Sequence, residues 1–307
     1  MDTAWILDKY RATRITDEVA YEKMIDTFTD ELSKEEPSLA EIDLVVALLD
    51  LTSLEATDSI EDARALVARG TRTSSGNHMV GGICVFGDLV GVVKNELVVA
   101  NASCKSVAVA GGFPHGRVSL EIKLNEIREA LSLGADEIDM VINRVDANNQ
   151  SYDKIYQEIK AIKDLCLSYG EDKKLKVILE TGELDTLNII KDVSHIALEA
   201  GADFIKTSTG KAAKVATFYS VGAMLEAVGE FYQVSRERRG VKISGGVRNS
   251  ATAVTYLRLA EKILSKEWFD VEHLRFGASG LLEVLLEDRA SIISGQSIKS
   301  SSSESSY

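Results

Sequence analysis

Residues 203–211 read DFIKTSTGK, a short apolar run that ends in a polar loop with a glycine. The lysine of this run, Lys206, stands where a buried strand would reach its loop. A free lysine amine has a pKa of about 10.4, and an ammonium among apolar neighbours is costly unless it is paired with an acid or loses its proton. The segment therefore predicts a strand that ends in a buried ion pair or in a nucleophilic amine. A nucleophilic amine would form a Schiff base with a carbonyl substrate.

Similar apolar runs recur along the chain, with helical patterns between them. We count eight runs, at 45–51, 82–86, 106–110, 137–143, 175–180, 204–207, 241–244 and 274–278. Helical periodicity marks residues 120–133, 152–169, 187–200, 217–232 and 251–264. Buried runs that alternate with helices predict βαβ units, and eight units in roughly 250 residues are typical of an α/β protein with a (β/α)8 TIM barrel. An open doubly wound sheet is the alternative, but no G-x-G-x-x-G motif follows the first run.

The chain divides into three parts on this interpretation. Residues 1–40 are polar and acidic and predict an N-terminal helical extension that packs on the main domain. Residues 41–290 form the barrel. Residues 291–307 are rich in serine and lack a core-forming pattern, so we expect a flexible C-terminal tail that ends in Tyr307.

Composition restricts the possible functions and location. The net charge of −13 argues against non-specific binding to nucleic acid or to an anionic membrane. The three cysteines are an odd number without C-x-x-C spacing, which favours reduced thiols in a cytoplasmic protein. No apolar run reaches membrane-spanning length, and the N-terminus lacks a signal-peptide pattern. The four histidines show no metal-ligand spacing, so we expect no metal.

Two further charged residues interrupt apolar runs. Asp139 lies in the fourth run and Lys242 in the seventh. If the runs close into a barrel, both side chains can meet Lys206 in one mouth. A second ammonium would lower the pKa of Lys206, while Asp139 would hold Lys242 charged. The alternative is a buried Asp–Lys ion pair with Lys206 as a bystander.

Glycine-bearing loops follow the last three runs and predict an anion site. Backbone N–H groups can approach an anion closely at glycines, and barrel phosphate sites commonly occupy the loops after strands seven and eight. Polar residues at the carboxyl ends of the runs lie at the same face of a barrel. The predicted substrate- and phosphate-binding residues are Asp50, Thr209, Gly210, Lys211, Gly245, Gly246, Ser279 and Gly280.

These residues belong to a series of motifs. The chain carries LDLT at 49–52, FPHG at 113–116, GADEID at 134–139, ETGEL at 180–184, GADFIKTSTGK at 201–211, GGVR at 245–248 and RFGAS at 275–279. In this order, across about residues 45–285, they resemble the deoxyribose-phosphate aldolase family of class I aldolases. The segment 204–211 is the most specific of them.

The resemblance implies an enzyme that cleaves 2-deoxy-D-ribose 5-phosphate reversibly to D-glyceraldehyde 3-phosphate and acetaldehyde, in deoxyribonucleoside catabolism. It assigns Lys206 as the Schiff-base nucleophile, and Asp139 and Lys242 as proton donors and acceptors. It implies no metal or organic cofactor, and a possible homodimer. Another class I aldolase acting on a different phosphorylated sugar, and a non-catalytic barrel, are the alternatives.

Gly280 and Tyr307 differ from the other positions named above in how they relate to the family. Many family members carry two serines after the eighth strand, whereas this chain has Gly280 as the second residue. Some members end in a tail whose last tyrosine reaches the site and assists proton transfer, and the sequence ending in Tyr307 resembles that tail. A disordered, solubilising end is the alternative interpretation of the same residues.

Overall fold

The computed structural model describes residues 3–71, 79–296 and 298. Eight parallel strands pair in chain order, and the first also pairs with the last, so the sheet is a closed barrel. The strands are β1 (Leu49–Thr52), β2 (Gly82–Phe86), β3 (Lys105–Ala110), β4 (Glu137–Val141), β5 (Lys174–Ile178), β6 (Phe204–Lys206), β7 (Gly240–Ser244) and β8 (Leu274–Ala278). The predicted (β/α)8 barrel is therefore confirmed, and the open sheet is excluded.

Helices surround the barrel. Three of them precede the first strand: α1 (Ala4–Lys9), α2 (Glu18–Leu32) and α3 (Leu39–Ala47). The others are α4 (Ile60–Thr71), α5 (Val90–Val99), α6 (Leu120–Ser132), α7 (Arg144–Asn148), α8 (Tyr152–Tyr169), α9 (Leu187–Glu199), α10 (Phe218–Ser235), α11 (Ser250–Ile263) and α12 (Leu281–Ile293). Because helices cover every strand from outside, the strands are buried on both faces and read as continuous apolar runs.

Local sequence signals set where many of these helices begin. A Ser, Thr or Asn residue precedes several of them, and its side chain accepts a hydrogen bond from a backbone N–H of the first turn. These N-cap residues are Ser38, Ser119, Thr186, Thr217 and Asn249.

The N-terminal extension is helical, as predicted, and it is tied to the outer layer. Helix α2 packs on α10 and α11, while α3 packs on α11 and α12. The ring of Tyr10 stacks on that of His195 in α9 at a centroid distance of 3.8 Å. Arg14 pairs with Asp192 of the same helix at 2.9 Å. The helices before β1 thus pack on the helices that follow strands five to eight.

The first predicted run was placed wrongly. The strand begins at Leu49, and residues 45–47 form the end of α3. A capping box at Ser38 and Glu41 starts this helix, and Val45 and Val46 lie on its buried face. The apolar run therefore spans a helix end and a strand start. Hydropathy alone does not separate two adjacent buried elements.

Candidate active site

Lys206 is the last residue of β6, and its amine lies beside a carboxylate in the barrel interior. The Nζ atom is 2.8 Å from Oδ2 of Asp139 on β4. Lys242 on β7 donates to the same Oδ2 atom, also at 2.8 Å. The strand register brings the two lysines close together, because Lys206 and Lys242 are direct neighbours across the β6–β7 pair. The predicted convergence of Lys206, Asp139 and Lys242 is what the structure shows.

Burial and charge give the two lysines opposite tendencies. Lys206 is only 3% exposed, and burial together with the nearby ammonium of Lys242 holds its pKa below the usual range, although Asp139 opposes that shift. Burial alone would also lower the pKa of Lys242, but Asp139 and Asp50 raise it above the usual range. One amine is therefore biased toward the neutral form and the other is held charged.

The acid between them is strongly ionised. Burial alone would raise the pKa of Asp139, but the ammonium groups of Lys176, Lys206 and Lys242 hold it well below its usual range. Its second oxygen, Oδ1, accepts a hydrogen bond from Lys176 at 3.0 Å. Asp139 is therefore an acceptor with one oxygen directed toward Lys206 and Lys242.

Asp50 lies deeper than the sequence interpretation placed it. It is fully buried, forms an ion pair with Arg275, and approaches Lys242 to 2.5 Å through Oδ2. It is not among the residues that line the cavity described next. Its side chain points into the barrel because its place in β1 sets the inward face, so it contacts the interior charges and not the mouth.

An open cavity of about 590 Å³ lies at the carboxyl ends of the strands, next to Lys206. The loops after β1, β6, β7 and β8 form its walls. Of the predicted binding residues, it brings together Thr209, Gly210, Lys211, Gly245, Gly246, Ser279 and Gly280. Asp139 and Lys242 have no exposed surface and lie beneath the cavity, below the amine of Lys206.

The β7 and β8 loops give this cavity features that suit an anion. Gly245 and Gly246 have φ values of 81° and 82°, a left-handed conformation that glycine adopts without strain. Helix α12 begins directly after Gly280, so the positive end of its dipole and its first N–H groups face this side. A Cβ added at Gly280 would meet nothing within 4 Å, which leaves open space there.

Thr209 has a second role in the loop that follows Lys206. Its backbone N–H and its hydroxyl both donate to the buried carboxylate of Glu180, the hydroxyl at 2.5 Å. The hydroxyl oxygen also accepts from the N–H of Lys211 at 3.1 Å. Glu180 itself has a φ of 56° and approaches Arg144 to 3.5 Å. These contacts hold the loop in shape, and the proposed contact of Thr209 with substrate stays a prediction.

Lys211 crosses the cavity entrance. Its Nζ atom is 3.1 Å from Oε1 of Glu55 in the loop after β1, and both residues line the cavity. Glu55 is largely exposed, with 73% of its side chain accessible. A phosphate that enters the cavity would compete with this carboxylate for the lysine.

The other side of the mouth is apolar. A small buried cluster contains Leu54, Cys84, Val107 and Val109, with Phe86 and Phe113 packed against it. Leu54 also lines the cavity, so the cluster continues its wall. Burial raises the pKa of the Cys84 thiol, which therefore behaves as a small apolar group.

Sequence reasoning missed three charged residues of the interior. Lys176, Arg275 and Glu137 are almost fully buried and contact Asp50 or Asp139 directly or through one another. Lys176 and Arg275 interrupt apolar runs in the same way as Lys206 and Lys242 do, whereas Glu137 stands at the start of its run, next to Asp136. The signal was therefore present for Lys176 and Arg275, and applying it to every strand would have found these two.

Some expectations lie outside what the structure describes. Tyr307 is beyond the described residues. Within residues 3–71, 79–296 and 298, no group of three or more His, Cys, Asp and Glu side chains is arranged to hold a metal ion. None of the helices in that part combines the length and hydropathy that a bilayer span requires.

Comparison with known proteins relates this site to a family. Residues 38–267 match the family described as DeoC/LacD family aldolase. A Caenorhabditis elegans protein named "Putative deoxyribose-phosphate aldolase" is 35% identical over 250 residues, which are 80% of this chain and 81% of the relative. A Toxoplasma gondii ME49 crystal structure of the same name superposes with a TM-score of 0.73 at 25% identity, covering 85% of this chain and 96% of that one. The deoxyribose phosphate aldolase of Aeropyrum pernix, described as tetrameric, gives a TM-score of 0.65 at 26% identity over 86% and 97% of the two chains.

Proposed function

Since this chain belongs to the DeoC/LacD family of aldolases, we propose that it cleaves 2-deoxy-D-ribose 5-phosphate reversibly to D-glyceraldehyde 3-phosphate and acetaldehyde through a Schiff base on Lys206. The observation that carries the proposal is the environment of the Lys206 amine. It lies at a cavity wall, nearly buried, with its pKa lowered by burial and by Lys242. An uncharged amine in such a place is a nucleophile for an aldehyde.

The proposed reaction begins with attack of Lys206 Nζ on the aldehyde carbon of the open-chain sugar. The resulting carbinolamine loses water and becomes an iminium ion. Removal of the proton from the C3 hydroxyl then breaks the C2–C3 bond, and its electron pair moves into the iminium to give an enamine. Protonation of the enamine and hydrolysis of the iminium release acetaldehyde and restore the amine.

Asp139 and Lys242 are the proposed proton carriers for these steps. Oδ2 of Asp139 lies within hydrogen-bond distance of both amines, so it can exchange protons between Lys242 and the atoms bonded to Lys206 Nζ. Lys242 is charged and can supply a proton, and Asp139 can accept one. The proposed steps use side chains of the chain itself and water, and the absence of a metal or organic cofactor stays an expectation.

The phosphate is proposed to bind on the far side of the cavity. Lys211 supplies an ammonium, the left-handed glycines of the β7 loop supply close backbone approach, and the start of α12 supplies the helix dipole. Ser279 is a hydroxyl donor on the same side. The apolar cluster around Leu54, which borders the cavity, is the proposed neighbour of the small acetaldehyde fragment. The role in deoxyribonucleoside catabolism, the cytoplasmic location and the homodimer stay predictions.

Borohydride trapping tests the proposal. The protein is incubated with acetaldehyde, reduced and mapped by mass spectrometry, and we expect an N-ethyl group on Lys206. Lys211 is the internal control, because it lines the same cavity but pairs with an exposed carboxylate. Modification of Lys211 in place of Lys206, or the absence of any adduct, would reject the mechanism.

A substrate comparison tests the specificity. Cleavage of 2-deoxy-D-ribose 5-phosphate is measured beside the unphosphorylated sugar and a ketose bisphosphate. Adduct formation at Lys206 with faster cleavage of the ketose bisphosphate would retain the Schiff base and assign a different phosphorylated sugar.

A further inference from the structure

Seven charged side chains fill the barrel interior in one connected network. They are Asp50, Glu137, Asp139, Lys176, Lys206, Lys242 and Arg275, and each is at most 3% exposed. At its lower end Arg275 pairs with Asp50 and, at 2.8 Å, with Glu137. Lys176 pairs with Glu137 and reaches Asp139 at 3.0 Å. Asp139 then contacts the site amines, so an unbroken series of ion pairs runs from Arg275 to Lys206.

Two glycines on the barrel strands leave space for the side chains of this network. Gly82 on β2 lies beside it, and a Cβ there would come within 2.6 Å of Oδ1 of Asp50 and 3.1 Å of Nη1 of Arg275. Gly277 on β8 likewise leaves space for Lys242, because a Cβ added at Gly277 would lie 3.0 Å from the Cε atom of Lys242. Long charged side chains take the place of the branched apolar residues that usually fill a barrel. The Phe204 ring is the main apolar group among them, with Lys176 and Arg275 both within 6.0 Å of its centroid.

When the other six groups of the network are ionised, its charges balance only if Lys206 is neutral. The three carboxylates contribute −3, and Lys176, Lys242 and Arg275 contribute +3. The sum is zero when Lys206 is neutral and +1 when Lys206 is protonated. An unbalanced charge in a buried site is costly because the surroundings cannot solvate it.

We propose that Glu137 and Arg275, which do not reach the cavity, are positioning residues that act through this charge balance on the protonation of Lys206: Arg275 favours the uncharged amine, and Glu137 opposes it. Lys176 connects them to the site, because it bridges Glu137 and Asp139. The inference rests on the proposed function for its biological meaning, since an uncharged amine is what Schiff-base formation needs. It explains why a barrel would hold ionic groups so far beneath its mouth.

Other titratable groups near the network are partnered outside it or neutral. Glu272 helps to raise the pKa of Arg275, but it is partly exposed and pairs with Lys174 at 3.5 Å. Cys84 on β2 faces the site amines and is neutral, because burial raises its pKa. Glu180, at the end of β5, pairs with Arg144 outside the network. Asp203, before β6, pairs with Lys163 at 2.5 Å on the outer side of the barrel. On β3, the inner residues near the site are the apolar Val107 and Val109.

Charge balance predicts opposite effects for the two residues. Glu137→Gln removes a negative charge, so protonating Lys206 becomes more costly and its pKa falls. Arg275→Met removes a positive charge, so protonation of Lys206 restores neutrality and its pKa rises. We expect shifts of about one pKa unit in each direction. The double variant Glu137→Gln/Arg275→Met should return to within a few tenths of a unit of the wild-type value.

Competitive labelling with acetic anhydride measures this directly in the full chain. The reagent is small and acetylates only neutral amines, so the pH dependence of labelling at Lys206, read by peptide mapping, gives its pKa without any turnover. Glu158→Gln is the matched control, because Glu158 pairs with the buried Lys123 outside the barrel. This control should leave the Lys206 pKa unchanged.

The direction of the Lys206 pKa shift distinguishes the proposal from a general loosening of the core. Loosening of the core would admit water and move the Lys206 pKa toward the usual value near 10.4 in both single variants. A rise or no change in Glu137→Gln therefore overturns the inference. If Arg275→Met does not fold, the double variant is compared with Glu137→Gln instead. The Lys206 pKa must then be higher in the double variant than in Glu137→Gln.

The labelling experiment can reject the charge-balance proposal without rejecting the proposed function, and the reverse also holds. An acetaldehyde adduct at Lys206 together with an unmoved pKa in Glu137→Gln would reject the charge-balance proposal alone. Opposite shifts in the two variants without any adduct would reject the aldolase mechanism and retain the assignment of Glu137 and Arg275.

Discussion

The barrel interior and the cavity above it are adjacent but are built differently. The interior network is buried and each of its charges is paired within the protein, with ion pairs on almost every oxygen and amine. The cavity is open, and its walls are glycine-bearing loops, a helix start and one ion pair across the entrance. Buried charges set protonation states that solvent cannot screen, whereas exposed groups bind and release a charged ligand at low cost. The chemistry and the substrate binding of this site therefore depend on different regions.

The largest effect is expected for Lys206→Met. Loss of the nucleophile should reduce kcat on the order of 10⁴-fold or more. Because the other six charges of the network sum to zero, the fold should survive, with a denaturation midpoint close to that of the wild type. The comparison is Lys211→Met, which should mainly raise KM. A Lys206→Met protein with substantial activity would show that the interior amine is not the reacting group.

Lys242→Met tests the coupling between the two lysines. Removing this ammonium takes a cation away from Lys206 and leaves Oδ2 of Asp139 to pair with Lys206 alone, so both changes raise the pKa of Lys206. Since the neutral amine is the reactive form, activity at neutral pH should fall roughly 10²-fold and recover in part as pH rises. The measurement is the pH profile of kcat/KM, whose acid limb should move to higher pH. An acid limb at the wild-type position would show that Lys242 does not influence the amine.

The two regions also differ in how far the sequence predicts them. Charged residues within apolar runs are a strong signal, because a strand buried on both faces rarely accepts them. That signal identified Lys206, Asp139 and Lys242, and it equally marked Lys176 and Arg275, whose significance emerges only when closure of the barrel brings distant strands together. A run shows that a residue such as Asp50 is near a strand end but not how deep its side chain lies, so the substrate-binding role of Asp50 stays a prediction.

Glycines in the sequence predicted the loops of the cavity. The hydrogen bonds that hold these loops could not be predicted from the sequence. Nothing in TSTGK indicates that both donors of Thr209 go to Glu180, since that bond joins residues 29 positions apart. Likewise, the ion pair of Lys211 with Glu55 spans 156 positions and depends on closure of the barrel. The predicted boundary between α3 and β1 was wrong for a local reason, because one apolar run spans the end of the helix and the start of the strand.

Gly280→Ser examines the phosphate side of the cavity. A Cβ there meets nothing within 4 Å, and the φ of −104° suits any residue, so the added hydroxyl can face the cavity without strain. A further donor to a charged phosphate should lower KM for the phosphorylated sugar roughly 3- to 10-fold. Gly280→Ala is the matched control and should not lower it, and KM for the unphosphorylated sugar should stay unchanged in both. An equal effect of serine and alanine would place the phosphate elsewhere.

The smallest effect is expected for Glu55→Gln, which removes the carboxylate that competes with phosphate for Lys211. Exposed ion pairs contribute at most about 1 kcal/mol, so KM for the phosphorylated sugar should fall only about two- to fivefold, with kcat unchanged. The effect should disappear at high salt, because the pair is solvent-exposed and screened. Glu61→Gln is the control: Glu61 pairs with Arg64 at 3.7 Å on α4 and does not line the cavity. A KM change of the same size in Glu61→Gln would mean that total charge, and not the specific pair across the entrance, governs how the open region binds its ligand.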